Sequence, residues 1–205
     1  MRIISGALKG KSLKFIKNSS TRPLKDSVKE NIFNILKHSK FINVRTEKAY
    51  IFDLYSGVGS FGLECISRGA EHVTFVEQDK KAADLLRENL IQLSIFDNAT
   101  VINNKIEYFL KNNKKDKFDI FFFDPPFANN DYIHNLNLIK KYKIYKNEHV
   151  IIIHREKNTK DAFKDILNII ITKQYGRSKV IFATFNWEVF LYKFLFAQQL
   201  ADQKD

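Results

Sequence analysis

From Tyr50 onward the chain alternates short apolar runs with helical segments, and that alternation limits its fold more than any other feature. The run YIFDLY (50–55) leads into a helix that opens across Gly57 to Gly62 and ends near Gly69. HVTFVE is followed by the helix KKAADLLRENLIQL, ATVIN by a helix near 105–112, and FDIFFFD by one near 132–143. HVIIIHRE is followed by a short helix near 160–166. Strands separated by helices pair in parallel, because a parallel partner is reached only by a long crossover. The last two runs, NIIITKQY and KVIFATF, are parted only by a turn at Gly176 and Arg177, so they pair as a hairpin. The expected fold is α/β: a doubly wound, mostly parallel sheet of seven strands with an antiparallel last strand. No internal repeat interrupts it.

The first residues follow a different pattern. RIISG and KSLKF flank a turn containing Gly10, which predicts a β-hairpin, and 18–25 reads as a polar loop. Ser27 and Glu30 have capping-box spacing at the start of a helix carrying Val28, Ile32 and Leu36. The net charge of +11 is concentrated here: residues 1–48 hold 12 Lys and Arg against Asp26, Glu30 and Glu47. A basic segment appended to a near-neutral remainder points to a polyanion partner, with a merely solvated basic surface as the alternative. One cysteine, Cys65, excludes an intrachain disulfide, fits a reducing compartment and reads as packing. No signal peptide or membrane-length apolar run is evident, so a cytoplasmic location is expected. His38, His72, His134, His149 and His154 show no metal-ligand spacing and read as surface or core residues; no metal is expected. Arg155 and Glu156 close the fifth strand and read mainly as solvent-facing charge. The tail after Phe185 carries no assignable motif.

Two motifs carry chemistry. Asp53-Leu54-Tyr55-Ser56-Gly57-Val58-Gly59-Ser60-Phe61-Gly62 lies between a strand and a helix, with Glu77 at the end of the next strand. Glycines at such a turn let a ligand approach the backbone, and a carboxylate at the second strand end accepts from ribose hydroxyls. The spacing is that of a dinucleotide site too, so a nicotinamide or flavin oxidoreductase is a rival reading. Asp53 separates the two. A carboxylate just before the glycines repels a pyrophosphate but attracts the ammonium and sulfonium of S-adenosylmethionine. Tyr55, Ser56, Gly57 and Gly59 would line that cofactor, with Gln78 near its adenine.

The second motif, Asp124-Pro125-Pro126-Phe127, follows the apolar strand FDIFFF directly. Two prolines end the strand and stiffen the loop at the carboxyl rim of the sheet, where open α/β sheets bind ligands. Acceptors on a rigid loop suit an aromatic exocyclic amine, whose lone pair is delocalised into its ring. Hydrogen bonds from its N–H groups to the Asp124 carboxylate and the Pro125 carbonyl favour a pyramidal nitrogen, and Phe127 can stack on the base. The alternative is an ordinary tight turn.

These segments together resemble the RsmD family of bacterial methyltransferases, which modify guanine N2 in 16S ribosomal RNA. The resemblance runs from RIISGALKGKSL through TRPLKDSVKENIFNIL, FDLYSGVGSFGLECISRGA, FVEQD and FFFDPPF to KQYG. It implies a Rossmann-like class I methyltransferase with an N-terminal hairpin extension. It divides the chain into a basic RNA-facing part at 1–25, a catalytic domain at 26–193 and a tail at 194–205. It assigns S-adenosylmethionine to Asp53, Gly57, Gly59 and Glu77, and the target base to Asp124 through Phe127. Arg2, Lys9, Lys11, Arg22, Pro23 and Lys25 would face ribosomal RNA or the small ribosomal subunit. The product would be S-adenosylhomocysteine and the expected state a monomer. One departure stands out: Lys105, after Asn103 and Asn104, occupies a position where such enzymes carry Asp or Asn towards the adenine. The other readings are transfer to a different amine, such as adenine N6 in DNA or a protein amide, and a non-catalytic RNA-binding assembly factor.

Overall fold

The computed structural model describes residues 1–16, 24–112, 116–126, 131–159, 163 and 165–185. Arg22, Pro23, Phe127 and the tail beyond Phe185 lie outside the described residues, as does most of the expected helix near 160–166. The elements in chain order are α1 (Asp26–His38), β1 (Tyr50–Leu54), α2 (Ser60–Ser67), β2 (His72–Val76) and α3 (Lys80–Gln92). There follow β3 (Ala99–Ile102), α4 (Ile106–Asn112), β4 (Phe118–Phe123), α5 (Asp131–Tyr142), β5 (Tyr145–Glu156), β6 (Leu167–Tyr175) and β7 (Ser178–Phe185).

The seven strands form one sheet in the order β3-β2-β1-β4-β5-β7-β6. The five from β3 to β5 are parallel, and β7 runs antiparallel between β5 and β6, as the short Gly176 turn requires. The chain winds outward from β1 through β2 to β3, then crosses back to β4 and β5. The order therefore reverses between β1 and β4, which leaves a crevice at their carboxyl ends.

β4 lies at the centre of this sheet, and its residues explain why it does. Ile120 and Phe122 join the apolar core on one face with α1, α2 and α3, while Phe121 and Phe123 join the core on the other with α4 and α5. A strand buried on both faces has to be apolar throughout rather than alternating. A register irregularity between Phe118 and Ile120 turns Phe118 to the same side as Phe121. On the first face Phe61 of α2 stacks on Phe122 with ring centroids 3.9 Å apart, and Phe33 of α1 stacks on Phe61 at 5.3 Å. Each such ring contributes about 1.5–3 kcal/mol by leaving water.

The expected N-terminal hairpin forms as a short one: Arg2 bridges Ser12 antiparallel, Leu13 N–H donates to the Met1 carbonyl at 2.9 Å, Ile3 N–H to the Lys11 carbonyl at 3.0 Å and Gly10 N–H to the Ile3 carbonyl at 2.9 Å. Further backbone groups tie it to α2. Ile4 and Ser5 donate N–H groups to the two oxygens of Glu64, at 2.8 and 2.9 Å, and Leu8 donates to Ser67 Oγ at 2.9 Å. Glu64 is fully buried together with Lys29 of α1, whose Nζ lies 3.5 Å from it and donates to the Arg2 carbonyl at 3.1 Å. Burial lowers the Lys29 pKa although Glu64 raises it. With Ile3 and Leu13 in the main core, the segment is anchored to the domain. The expected capping box is not formed. α1 begins at Asp26, one residue before Ser27, and its N-cap Lys25 makes no side-chain cap.

Candidate active site

Strand register brings four strand ends to one rim. Leu54 is paired with Val76 and with Phe123, and Phe123 with Ile153. The residues that follow β1, β2 and β4 therefore emerge beside His154 and Arg155 near the end of β5.

β1 stops because the backbone turns left-handed at Tyr55 (φ 60°), Gly57 (φ 55°) and Gly59 (φ 85°). The turn closes with Ser56 N–H donating to the Val76 carbonyl at 3.2 Å and Gly59 N–H to the Ser56 carbonyl at 2.8 Å. The three glycines differ in purpose. A Cβ on Gly59 would lie 2.4 Å from Leu86 Cδ1, and one on Gly62 would lie 2.2 Å from the Phe75 ring. Those two let α2 pack on α3 and β2. A Cβ on Gly57 would meet nothing within 4 Å. Gly57 alone of the three faces open space, which leaves its backbone accessible to a ligand.

Three carboxyl groups surround this turn. Glu77 accepts from Gly57 N–H at 2.8 Å through one oxygen and from Asp79 N–H at 2.8 Å through the other. Each oxygen keeps a further lone pair. Asp53 is 1% exposed and accepts from Gly62 N–H, in the first turn of α2, at 2.9 Å. Burial pushes its carboxyl well above the usual range; the Gly62 bond opposes this, and the charges of Asp124 and Glu77 add to the rise. Asp124 completes the group, half-buried after β4.

Neighbouring polar groups shape the rest of the crevice. Tyr55 accepts from Asn135 Nδ2 of α5 at 2.9 Å, and burial raises its hydroxyl pKa to about 12, so it is a neutral group. Ser56 Oγ is buried without a hydrogen-bond partner among the described residues, as is Asn135 Oδ1. Gln78 is exposed, and its carbonyl and that of Glu77 accept from Asn103 Nδ2 at 3.2 and 2.9 Å. Asn103 thus fixes the backbone where an adenine is expected, while Lys105 is exposed and donates its N–H to Asn104 Oδ1 at 2.8 Å.

The Asp-Pro-Pro loop is braced from β5. His154 Nδ1 lies 2.9 Å from Asp124 Oδ1, and Arg155 Nη1 donates to the Pro126 carbonyl at 3.3 Å. Arg155 is 1% exposed and lies over the Tyr132 ring at 4.6 Å. This corrects one expectation, since Arg155 is buried rather than solvated; His154 is buried, within the surface-or-core reading, and contacts Asp124. Glu156 is exposed, as read. The available signal was the polar pair His154-Arg155 closing an apolar strand beside FDIFFFDPP; Asn103 and Asn135 gave none.

Of the expected RNA-facing residues, Arg2, Lys9, Lys11 and Lys25 are exposed. Arg2 lies 3.4 Å from Asp26 in an exposed pair. Among the described residues no group of His, Cys, Asp and Glu could hold a metal ion, and no helix is long and apolar enough to cross a membrane. Cys65 is buried and unpaired.

Comparison with known proteins adds the following. Residues 1–184 match the family model described as conserved hypothetical protein 95. The chain is 35% identical over 184 residues to YlbH of Bacillus subtilis, covering 88% of this chain and 96% of that one. It is 35% identical over 160 residues to ribosomal RNA small subunit methyltransferase D of Haemophilus influenzae, covering 77% and 80%. The solved structure of yhhF from Escherichia coli superposes with a TM-score of 0.77 at 28% identity, covering 91% of this chain and 98% of the other.

Proposed function

The chain belongs to the RsmD family, whose members include ribosomal RNA small subunit methyltransferases, and from that premise we propose that it methylates the N2 amine of a guanine in 16S ribosomal RNA. The observation that carries this reading is the rim itself: one open glycine bonded to Glu77, with Asp53 and Asp124 near enough to feel each other's charge, and a braced Asp-Pro-Pro loop on the adjoining strand.

The site fits S-adenosylmethionine better than a dinucleotide. Three carboxyl groups converge where a dinucleotide would place its pyrophosphate, and like charge there is unfavourable. The same carboxyls suit the ammonium and sulfonium. Glu77 has lone pairs for ribose hydroxyls, and Ser56 Oγ, buried without a partner among the described residues, offers a further polar contact. Gln78 and Asn103 bound the adenine side. Bound there, S-adenosylmethionine supplies an electrophilic methyl whose carbon–sulfur bond breaks with its electrons left on sulfur, giving S-adenosylhomocysteine.

Asp124 accepts an N–H of the target amine, and the Pro125 carbonyl accepts the second. Their pull favours a pyramidal nitrogen whose lone pair points at the methyl carbon. The amine proton released on bond formation passes to Asp124 and then to water. Phe127 stacks on the base. Most of the acceleration comes from positioning and fixed dipoles. A guanine in folded RNA must leave its stack to arrive here. Arg2, Lys9, Lys11, Arg22 and Lys25 supply phosphate contacts for residues 1–25 as an RNA-facing edge. We take the enzyme to act as a monomer, in the cytoplasm where ribosomes are assembled.

The test is incubation with labelled S-adenosylmethionine and small subunits lacking their methylations, followed by nucleoside identification. N2-methylguanosine that disappears with Asp124→Ala is the expected result. Label on adenine N6 or on protein would move the acceptor. Equal RNA binding with no transfer by the unmutated protein would leave an assembly factor.

A further inference from the structure

We propose that His154 is a positioning residue that holds one oxygen of Asp124 and leaves the other for the target amine, an inference that rests on the reading of Asp124 above. Parallel pairing of β4 with β5 places Ile153 opposite Phe123, so the next residues, His154 and Asp124, stand at the same level. Their side chains meet at 2.9 Å, His154 being 8% exposed. Across the sheet, His154 is level with Val180 of β7, an apolar residue.

A carboxylate can only accept hydrogen bonds, so the Nδ1 facing Asp124 Oδ1 carries a hydrogen. That bond fixes the carboxyl rotation. A carboxylate free to turn would offer the amine either oxygen at varying angles, and the lone pair of an aromatic amine is released only when the acceptor direction is held. The next residue strengthens the arrangement from the other face of the sheet. Arg155 donates to the Pro126 carbonyl, so two successive residues of β5 hold the start and the middle of the loop. His154 touches neither amine nor cofactor in this account and acts through Asp124.

Two variants and one spectrum test this. His154→Phe keeps a ring of similar size without a donor, while His154→Asn retains a donor near the Nδ1 position. The expected result is a kcat lowered by about 10²-fold in His154→Phe, since small misplacement of a reacting group has that effect. KM for RNA and the Kd for S-adenosylhomocysteine should stay within about twofold, and His154→Asn should recover most of the loss. Unchanged kcat in His154→Phe overturns the proposal. So does a Kd that worsens in step with kcat and is not restored in His154→Asn. The second measurement needs no turnover: imidazole nitrogen NMR of the full chain. A protonated Nδ1 on His154, shifted by Asp124→Asn, is expected, and a bare Nδ1 overturns the proposal. If the unmutated protein puts no methyl on guanine N2, the reading of the reaction fails, while the spectrum still decides the pairing.

Discussion

The two loops at the rim are held in place by different means. The glycine loop is shaped by its own backbone. Three left-handed residues make the turn, Glu77 accepts its Gly57 N–H, and Gly59 and Gly62 sit where any side chain would strike Leu86 or Phe75. The Asp-Pro-Pro loop depends on side chains from a strand far along the chain, His154 and Arg155. The first is therefore part of the packed core, and damage to it spreads to the fold. The second is a braced attachment, and damage to it should stay with the chemistry.

Substitution can break that contrast. The largest effect is expected from Asp124→Ala. Methyl transfer should fall by about 10²–10³-fold, as when a preorganised partner of the reacting group is removed, with the thermal midpoint nearly unchanged. Single-turnover kinetics beside calorimetry would check it, and a parallel loss of stability would erase the distinction between the loops. Next in size is Gly62→Ala. The new methyl meets the buried Phe75 ring, and overpacking of this kind costs about 1–3 kcal/mol, readable as a lower urea midpoint. An unchanged midpoint would mean that the glycine loop is not part of the core.

Glu77→Gln sharpens the comparison further. One arm of the amide no longer accepts, so one of the backbone N–H groups of Gly57 and Asp79 loses its acceptor and the other loses a charged partner. Cofactor affinity should fall about tenfold, equivalent to ~1.4 kcal/mol, by titration calorimetry. The smallest effect concerns Asp53→Asn. The folded-state pKa of Asp53 lies above its unfolded value because of burial. Its contribution is thus fully present below the unfolded carboxylate pKa and is lost as pH rises through the folded value. Asparagine keeps an acceptor for Gly62 N–H without the charge. The variant should gain a few degrees of thermal midpoint at pH 8, show no gain near pH 3, and bind cofactor more weakly. Scans at the two pH values decide this; a gain that is larger in acid would reverse the sign and rule the account out.

Much of this molecule could be read before any coordinates. The sheet follows from local patterns: apolar runs of strand length, amphipathic helices between them, and a two-residue gap too short for a crossover. The glycine loop and Asp124 were legible because their chemistry is written in consecutive residues. The N-terminal hairpin was legible in its turn and flanking residues, but its attachment was not, because the acceptors that hold it, Glu64 and Ser67, lie 59 or 60 positions away. The capping box failed for a more local reason: α1 starts one residue before Ser27.

What the sequence by itself determined, then, is what short-range physics controls: the order and type of elements, the left-handed turn, the stiff proline loop and the placing of basic charge early in the chain. What only the tertiary structure decided is which distant polar groups meet. It set Lys29 against Glu64, Asn135 against Tyr55, and His154 against Asp124 across a separation of 30 residues. Hydrogen bonds need partners within about 3 Å at fixed angles. No periodicity in a sequence reports a distance between residues on separate strands, which becomes defined only when the sheet sets their register.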